Sequence, residues 1–171
     1  MKTKSLVSFV AFLLLFGLVL FAAIEKLSLK RSISNRLKNV PPLLLTLTDG
    51  GPFVLPERTR LLLIIFDPAC DHCQRQAHDV RLNLGRLPQC SVVWISTAPL
   101  QDIATFSVEY QLDKISNVHF AGIKTDEMST AFGSHFIPHL FIYGEDRRLI
   151  KEFKGETKME SILGYMNSDR P

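Results

Sequence analysis

Cysteine is scarce in this chain, with three residues in 171. Cys70 and Cys73 form one C-x-x-C pair and Cys90 stands alone. The second cysteine pair that a structural zinc site usually draws on is therefore missing. Histidine offers at most a partial substitute: among His72, His78, His119, His135 and His139, the pairs His72/His78 and His135/His139 have H-x₃₋₅-H spacing. No internal repeat or low-complexity segment stands out, so the fold is not built by repetition. Surplus positive charge is also lacking where a nucleic-acid surface would need it. Residues 1–38 hold seven basic side chains and one acidic one, a net +6, so residues 39–171 carry −3. The basic pI of 8.8 belongs to the amino-terminal region, and nucleic-acid binding has no support.

What is abundant at the start is apolar sequence. Ser5 to Ile24 is an uncharged, mostly apolar run of 20 residues, long enough to span a bilayer as a helix. Lys2 and Lys4 precede it, as in a signal sequence, but the apolar core is longer than a cleaved signal normally has. Ala22 and Ala23 follow Leu20 and Phe21, a poor small-x-small cleavage site. The reading is an uncleaved signal-anchor over 1–24, a polar juxtamembrane linker over 25–40, and a folded domain over 41–171. Lys26, Lys30, Arg31, Arg36 and Lys38 are placed to meet anionic headgroups. The same charges point the domain toward the cytoplasm by the positive-inside rule. The signal-like start and the dithiol favour the outer side, and that orientation is the expectation.

The dithiol follows the run Leu61-Leu62-Leu63-Ile64-Ile65-Phe66, which reads as a buried strand. A helix is expected from about Asp71 to Leu84, so Cys70 falls at a strand-to-helix junction. Unpaired N–H groups and the helix dipole stabilise a thiolate there. Cys73 lies one turn later, within disulfide reach. A purely structural disulfide is the weaker reading, because so small a loop stabilises little. Further strands are expected at Leu43–Leu47, Phe53–Leu55, Ser91–Ser96, Val118–Ile123, Leu140–Tyr143 and Leu149–Phe153. Helices are expected from Pro99 to Leu112, from Asp126 to Phe132 with Gly133 as cap, and from Thr157 to Met166. In the last of these, Thr157 and Glu160 have capping-box spacing. The order is a β-hairpin, β-α-β-α-β, a short helix, a second hairpin and a closing helix. It implies an α/β fold with a mixed sheet and helices on both faces.

The chain resembles the membrane-tethered thioredoxin-like proteins of bacteria, in the thiol-disulfide oxidoreductase and alkyl-hydroperoxide-reductase-related branch. The resemblance rests on Pro42–Gly50, on Ile64 to Cys73, and on Phe136-Ile137-Pro138-His139-Leu140-Phe141-Ile142-Tyr143, with Gly155 closing the late hairpin. It covers about residues 41–166. It implies a thioredoxin-like fold, a redox-active Cys70–Cys73 disulfide with no other cofactor, protein thiols and disulfides as substrates, and an upstream dithiol as electron donor. It implies the bacterial inner membrane as location, with the membrane contacted through residues 5–24. It also implies a cis Ile137–Pro138 bond beside the disulfide, with the backbone of Ile137 open to an extended substrate. The chain departs from the family pattern in three places. Asp67-Pro68-Ala69 stands where a Trp usually precedes the first cysteine, His72 where Pro is common, and Gln76 where the tethered reductases often carry an acid.

Cys70 is expected as the nucleophile and Cys73 as the resolving thiol. Asp71 and His72 tune them in opposite senses, the carboxylate disfavouring a thiolate and an imidazolium favouring it. His72 is read either as facing Cys70 or as a solvent-facing first-turn residue, and Cys90 as a buried inert thiol. Disulfide reduction on protein substrates is the leading function. The peroxide-reducing relatives need Pro-x-x-x-Thr-x-x-Cys, and Pro68-Ala69-Cys70 is too short and lacks the Thr. The alternatives are a copper-delivery module of the same fold, using Cys70, Cys73 and His135 or His139 as soft ligands, and a non-catalytic docking domain.

Overall fold

A computed structural model describes residues 2–133 and 136–168, apart from the side chains of residues 2–15, 29 and 30. Two compact units divide at Asn35/Arg36. Helix α1 runs Lys2–Leu37, so the stretch 25–40 that reads as a linker is helical as far as Leu37. The apolar run from Ser5 to Ile24 lies wholly within this helix. Among the described residues no helix is long and apolar enough to cross a membrane.

The second unit is built on one seven-stranded sheet. Its strands are β1 (Leu45–Leu47), β2 (Pro52–Phe53), β3 (Arg60–Ile65), β4 (Cys90–Ser96), β5 (Val118–Gly122), β6 (His139–Tyr143) and β7 (Leu149–Lys154), in the order β2-β1-β5-β4-β3-β6-β7. β3, β4 and β5 are parallel neighbours; the two hairpins add antiparallel strands at both edges. The sheet is therefore mixed, as the element order implies. β2 is shorter than the apolar triplet Phe53–Leu55 suggests and starts at Pro52, which an edge strand tolerates.

Four helices cover the sheet: α2 (Asp71–Asn83), α3 (Leu100–Glu109), α4 (Thr125–Phe132) and α5 (Met159–Met166). A single 3₁₀ turn, Leu84–Arg86, follows α2 and was not foreseen. Strand alternation sorts the faces. Leu62, Ile64, Val92, Trp94, Val118, Phe120, Leu140 and Ile142 share one cluster with Cys73, Ala77 and Val80 of α2, Ile103 and Phe106 of α3, and Met159 and Ile162 of α5. On the other face, Phe132 of α4 packs on Phe141 with ring centroids 5.2 Å apart. Arg36 donates to the Thr130 carbonyl and ties the carboxyl end of α1 to α4.

Aromatic rings concentrate under the end of β3. Phe66 meets Trp94 edge-on at 5.3 Å and Phe106 at 4.7 Å, while Trp94 stacks on Phe120 at 5.7 Å. Each such pair contributes roughly 0.5–1.5 kcal/mol beyond its buried area. This cluster is the floor beneath Asp67–Cys70.

The closing helix starts later than its sequence suggests. Thr157 does not cap α5: the cap position is Lys158 and no side chain bonds there. The Thr157 hydroxyl instead donates to the Gly155 carbonyl at 3.0 Å. The Thr157 N–H donates to Gln76 Oε1 at 2.7 Å, and Gln76 Nε2 donates to the Thr157 carbonyl at 3.1 Å. One fully buried amide thus satisfies both backbone groups of Thr157 and fixes α2 to the start of α5. Gln76→Ala strands both groups, and the unfolding free energy is expected to fall by about 1–3 kcal/mol. Urea denaturation with an unchanged m-value measures it; a loss well under 0.5 kcal/mol would show that the clamp is not a stabilising contact.

Candidate functional site

The site begins where β3 ends. Asp67 turns the chain, with its Oδ1 accepting the Ala69 N–H at 2.8 Å and its carbonyl accepting the Cys70 N–H at 3.1 Å. Cys70 then occupies the N-cap of α2 in extended backbone (φ −87°, ψ 117°), and its carbonyl accepts the N–H groups of Cys73 and Gln74. No side chain caps this helix. The place that a Ser or Asp oxygen commonly fills is held by the Cys70 sulfur. A sulfur anion there meets unpaired helix N–H groups and the positive end of the dipole.

The two thiols have opposite surroundings. Cys70 is partly exposed, while Cys73 is fully buried in the cluster beneath the sheet's helical face. Burial pushes the Cys73 thiol far above the ordinary range. A hydrogen bond to Cys70 and the negative charge that Cys70 carries as thiolate push the same way; a backbone hydrogen bond with Asp67 opposes them. Cys73 therefore keeps its proton while Cys70 reacts. Cys90, at the start of β4, is buried, and desolvation raises its thiol to about 11 against the pull of Arg60.

The loop before β6 closes the site from the other side. The Ile137–Pro138 bond is cis. The Cys70 Sγ lies 3.9 Å from the Ile137 carbonyl oxygen, so the exposed sulfur and this loop are adjacent. Phe136 and Ile137 are exposed apolar side chains on the same loop, and the Pro138 carbonyl accepts the Gly155 N–H at 2.8 Å. A groove of 310 Å³ is lined by Asp67, Pro68 and Ala69, which lead into Cys70, and by Asp102, Thr105 and Phe106 of α3.

His72 is the solvent-exposed first-turn residue of the second reading, and its ring has partners. Its Nδ1 lies 2.8 Å from Glu156 Oε2 and 2.7 Å from Arg75 Nη2. Arg75 also donates to both Glu156 oxygens through Nε, at 3.1 and 3.0 Å. These contacts hold the Glu156 carboxyl below the usual carboxylate range, the Arg75 hydrogen bond being the larger cause and His72 the next. Asp71 is exposed in the first turn of α2 and acts electrostatically on Arg75. Glu156 and Arg75 are participants that sequence reasoning missed. Glu156 directly follows Gly155, which closes the hairpin, and nothing local marks it as a neighbour of the C-x-x-C.

Among the described residues, no cluster of three or more His, Cys, Asp or Glu side chains is gathered for a metal ion. His135 lies outside the described residues. His139 is a buried strand residue whose Nε2 pairs with Glu152 Oε1 at 2.7 Å. The site as described offers two sulfurs, one exposed and one buried, and a peptide-sized approach.

No protein-family model matches the chain, and no curated protein matches it. Solved structures do match in fold. A secreted disulfide oxidoreductase of Mycobacterium tuberculosis, homologous to E. coli DsbE, superposes with a TM-score of 0.62 at 18% identity, covering 77% of this chain and 96% of that one. StoA of Bacillus subtilis gives 0.56 at 13% identity, covering 71% and 93%. A peroxiredoxin-like protein of Aquifex aeolicus gives 0.63 at 10% identity, covering 75% and 84%. The second unit of this chain therefore has the thioredoxin-like fold.

Proposed function

We propose that this protein is a thiol-disulfide oxidoreductase acting on protein substrates, and that it works as a disulfide reductase. The observation that carries this reading is the pairing of half-buried Cys70, at the N-cap of α2 and 3.9 Å from the Ile137 carbonyl oxygen, with fully buried Cys73 one turn later. In the reductive direction the Cys70 thiolate attacks a substrate disulfide. A Cys70–substrate disulfide forms and one substrate thiolate leaves. Cys73 sulfur then attacks Cys70 Sγ, its proton passing to the second departing substrate sulfur. The substrate gains two electrons, one proton from Cys73 and a second from solvent on the thiolate that left first, and Cys70–Cys73 is left oxidised. An upstream dithiol returns the pair to its reduced state by the same exchange in reverse.

The tethering belongs to the same proposal. Residues 1–24 anchor the chain in a bacterial inner membrane, with the domain on the outer side. The uncharged run Ser5–Ile24, helical throughout, supports this, as does the fold likeness to a secreted disulfide oxidoreductase. Protease added to intact spheroplasts is expected to digest the domain. Protection until the cells are lysed would place it in the cytoplasm.

Equilibrium titration of the full-length protein in detergent against glutathione or dithiothreitol is expected to give one reversible two-electron couple, near or below about −250 mV. A value of about −120 to −180 mV would make the protein an oxidant or isomerase instead, and absence of a Cys70–Cys73 disulfide would sink the exchange reading.

Cys73→Ser removes the resolving step. The variant is expected to accumulate a covalent complex with a reducible model protein through Cys70, seen as a mass adduct that dithiothreitol releases. No adduct, or an adduct through Cys90, would contradict the assignment of roles.

The pH dependence of stability has a definite sign. Both Cys73 and Cys90 have thiols raised above the unfolded value of 9.0, Cys90 to about 11. Their contribution is fully present below pH 9 and is lost as pH rises through the folded values. The reduced protein should therefore lose thermal stability above pH 9 faster than the oxidised protein, which has no Cys73 thiol to ionise. Parallel melting curves for the two forms would contradict this.

A further inference from the structure

The acidic residue common in tethered reductases is replaced by Gln76, which is occupied with the backbone of Thr157. The carboxylate that does reach the start of α2 is Glu156, from the segment between β7 and α5. It meets His72 at 2.8 Å and Arg75 at 2.9 to 3.1 Å. Exposed ion pairs usually fluctuate and are worth little. This one is built differently, because the backbone on both sides of Glu156 is fixed. Gly155 N–H donates to the Pro138 carbonyl at 2.8 Å, and Thr157 is held through both its backbone groups by buried Gln76. The carboxylate is delivered to one place by the loop that also carries the cis bond and by the helix that carries the dithiol.

The consequence concerns Cys70. His72 and Arg75 are the two basic side chains nearest it in sequence, and Arg75 lies within electrostatic reach of the Cys70 sulfur. The helix N-terminus already favours the Cys70 anion. Two unneutralised cations would favour it further and make the disulfide easier to reduce, hence more oxidising. Glu156 takes both.

We propose that Glu156 is a positioning residue of the dithiol: it engages the His72 ring and the Arg75 guanidinium, offsets the positive charge they would place near the Cys70 sulfur, and so keeps the pair on the reducing side. This rests on the exchange reading above and deepens it. Other titratable groups face the cluster: Asp71, His78 and Asp79 on α2, and Tyr110 after α3 line the same groove as Arg75 and Glu156. None of them hydrogen-bonds to His72, so the test isolates Glu156 by varying it and its two basic partners only.

The experiment is the pH profile of Cys70 alkylation by iodoacetamide in the reduced full-length protein in detergent, with Cys73 too buried to compete. In Glu156→Gln the midpoint is expected to fall, the acid constant of Cys70 rising about three- to tenfold, a range set by partly screened charge effects on a thiol. The fall should vanish when His72→Asn and Arg75→Gln are added. An unmoved midpoint in Glu156→Gln overturns the proposal. A fall of equal size without the two cations overturns it too, because Glu156 would then act by its own charge alone. His72→Asn by itself provides an independent check. Its midpoint should match the wild type, since the imidazole is already engaged; a rise would show that His72 acts on Cys70 despite Glu156. Alkylation reads the reduced thiol and needs no turnover. If the wild type forms no reversible Cys70–Cys73 disulfide, the exchange reading fails, and the alkylation profile reports on Glu156 regardless.

Discussion

Strand β3 has neither a free edge nor an exposed face. It pairs with β4 on one side and β6 on the other, and Leu61 to Phe66 are between 0 and 2% exposed. Such a strand cannot alternate apolar with polar residues, which is why the sequence there is a continuous apolar run. The chain can leave it only at its end. The aromatic cluster of Phe66, Trp94, Phe106 and Phe120 fixes where that end is. The next element must start in the crevice above, and a helix that starts there presents its unpaired N–H groups at the surface. The reactive sulfur is a consequence of this geometry. Cys70 sits in the cap because the central strand stops one short turn before it.

From that placement the division of labour between the thiols follows. One helical turn carries the chain from the rim of the crevice into the packed face, so Cys70 is accessible and Cys73 is not. Desolvation holds the proton on Cys73, which prevents two adjacent anions in the resting dithiol. Gln76, one turn further on, is buried and uncharged. Its amide is used for architecture, bonding Thr157, where a carboxyl would have offered a proton relay. In the proposed exchange, the proton of Cys73 would leave with the departing substrate sulfur.

Most of this was legible in the sequence. The apolar run, the C-x-x-C after it, Gly133 as a helix cap and the late hairpin are local patterns, and each appears within a few residues of its expected place. The mixed sheet follows from element order. What was not legible depends on distant partners. Thr157 and Glu160 have capping-box spacing, but Gln76 competes for the Thr157 N–H and the hydroxyl turns back to Gly155, so the box does not form. The polar residues after Ile24 read as linker because polarity without a breaker looks the same in a linker and in an exposed helix. His72 was undecidable from its neighbours, since its partner Glu156 is 84 positions away. Contacts between side chains at that separation leave no periodic trace.

The fold does not choose the chemistry. Proteins described as a disulfide oxidoreductase and as peroxiredoxin-like superpose on this chain about equally well, at 18 and 10% identity. The choice is made in the seven residues from Asp67 to Cys73. A peroxide-reducing relative surrounds its reactive sulfur with a Thr and a Pro at fixed distance, and this chain has Pro68 only two positions before Cys70. It has instead a second sulfur within one turn, buried and protonated. A sulfur in that position fits the proposed exchange, whose intermediate is a disulfide to another molecule that the second sulfur would release. The exposed apolar side chains of Phe136 and Ile137 beside Cys70 fit the same purpose, since a chain-like substrate has side chains to set against them and a peroxide has none.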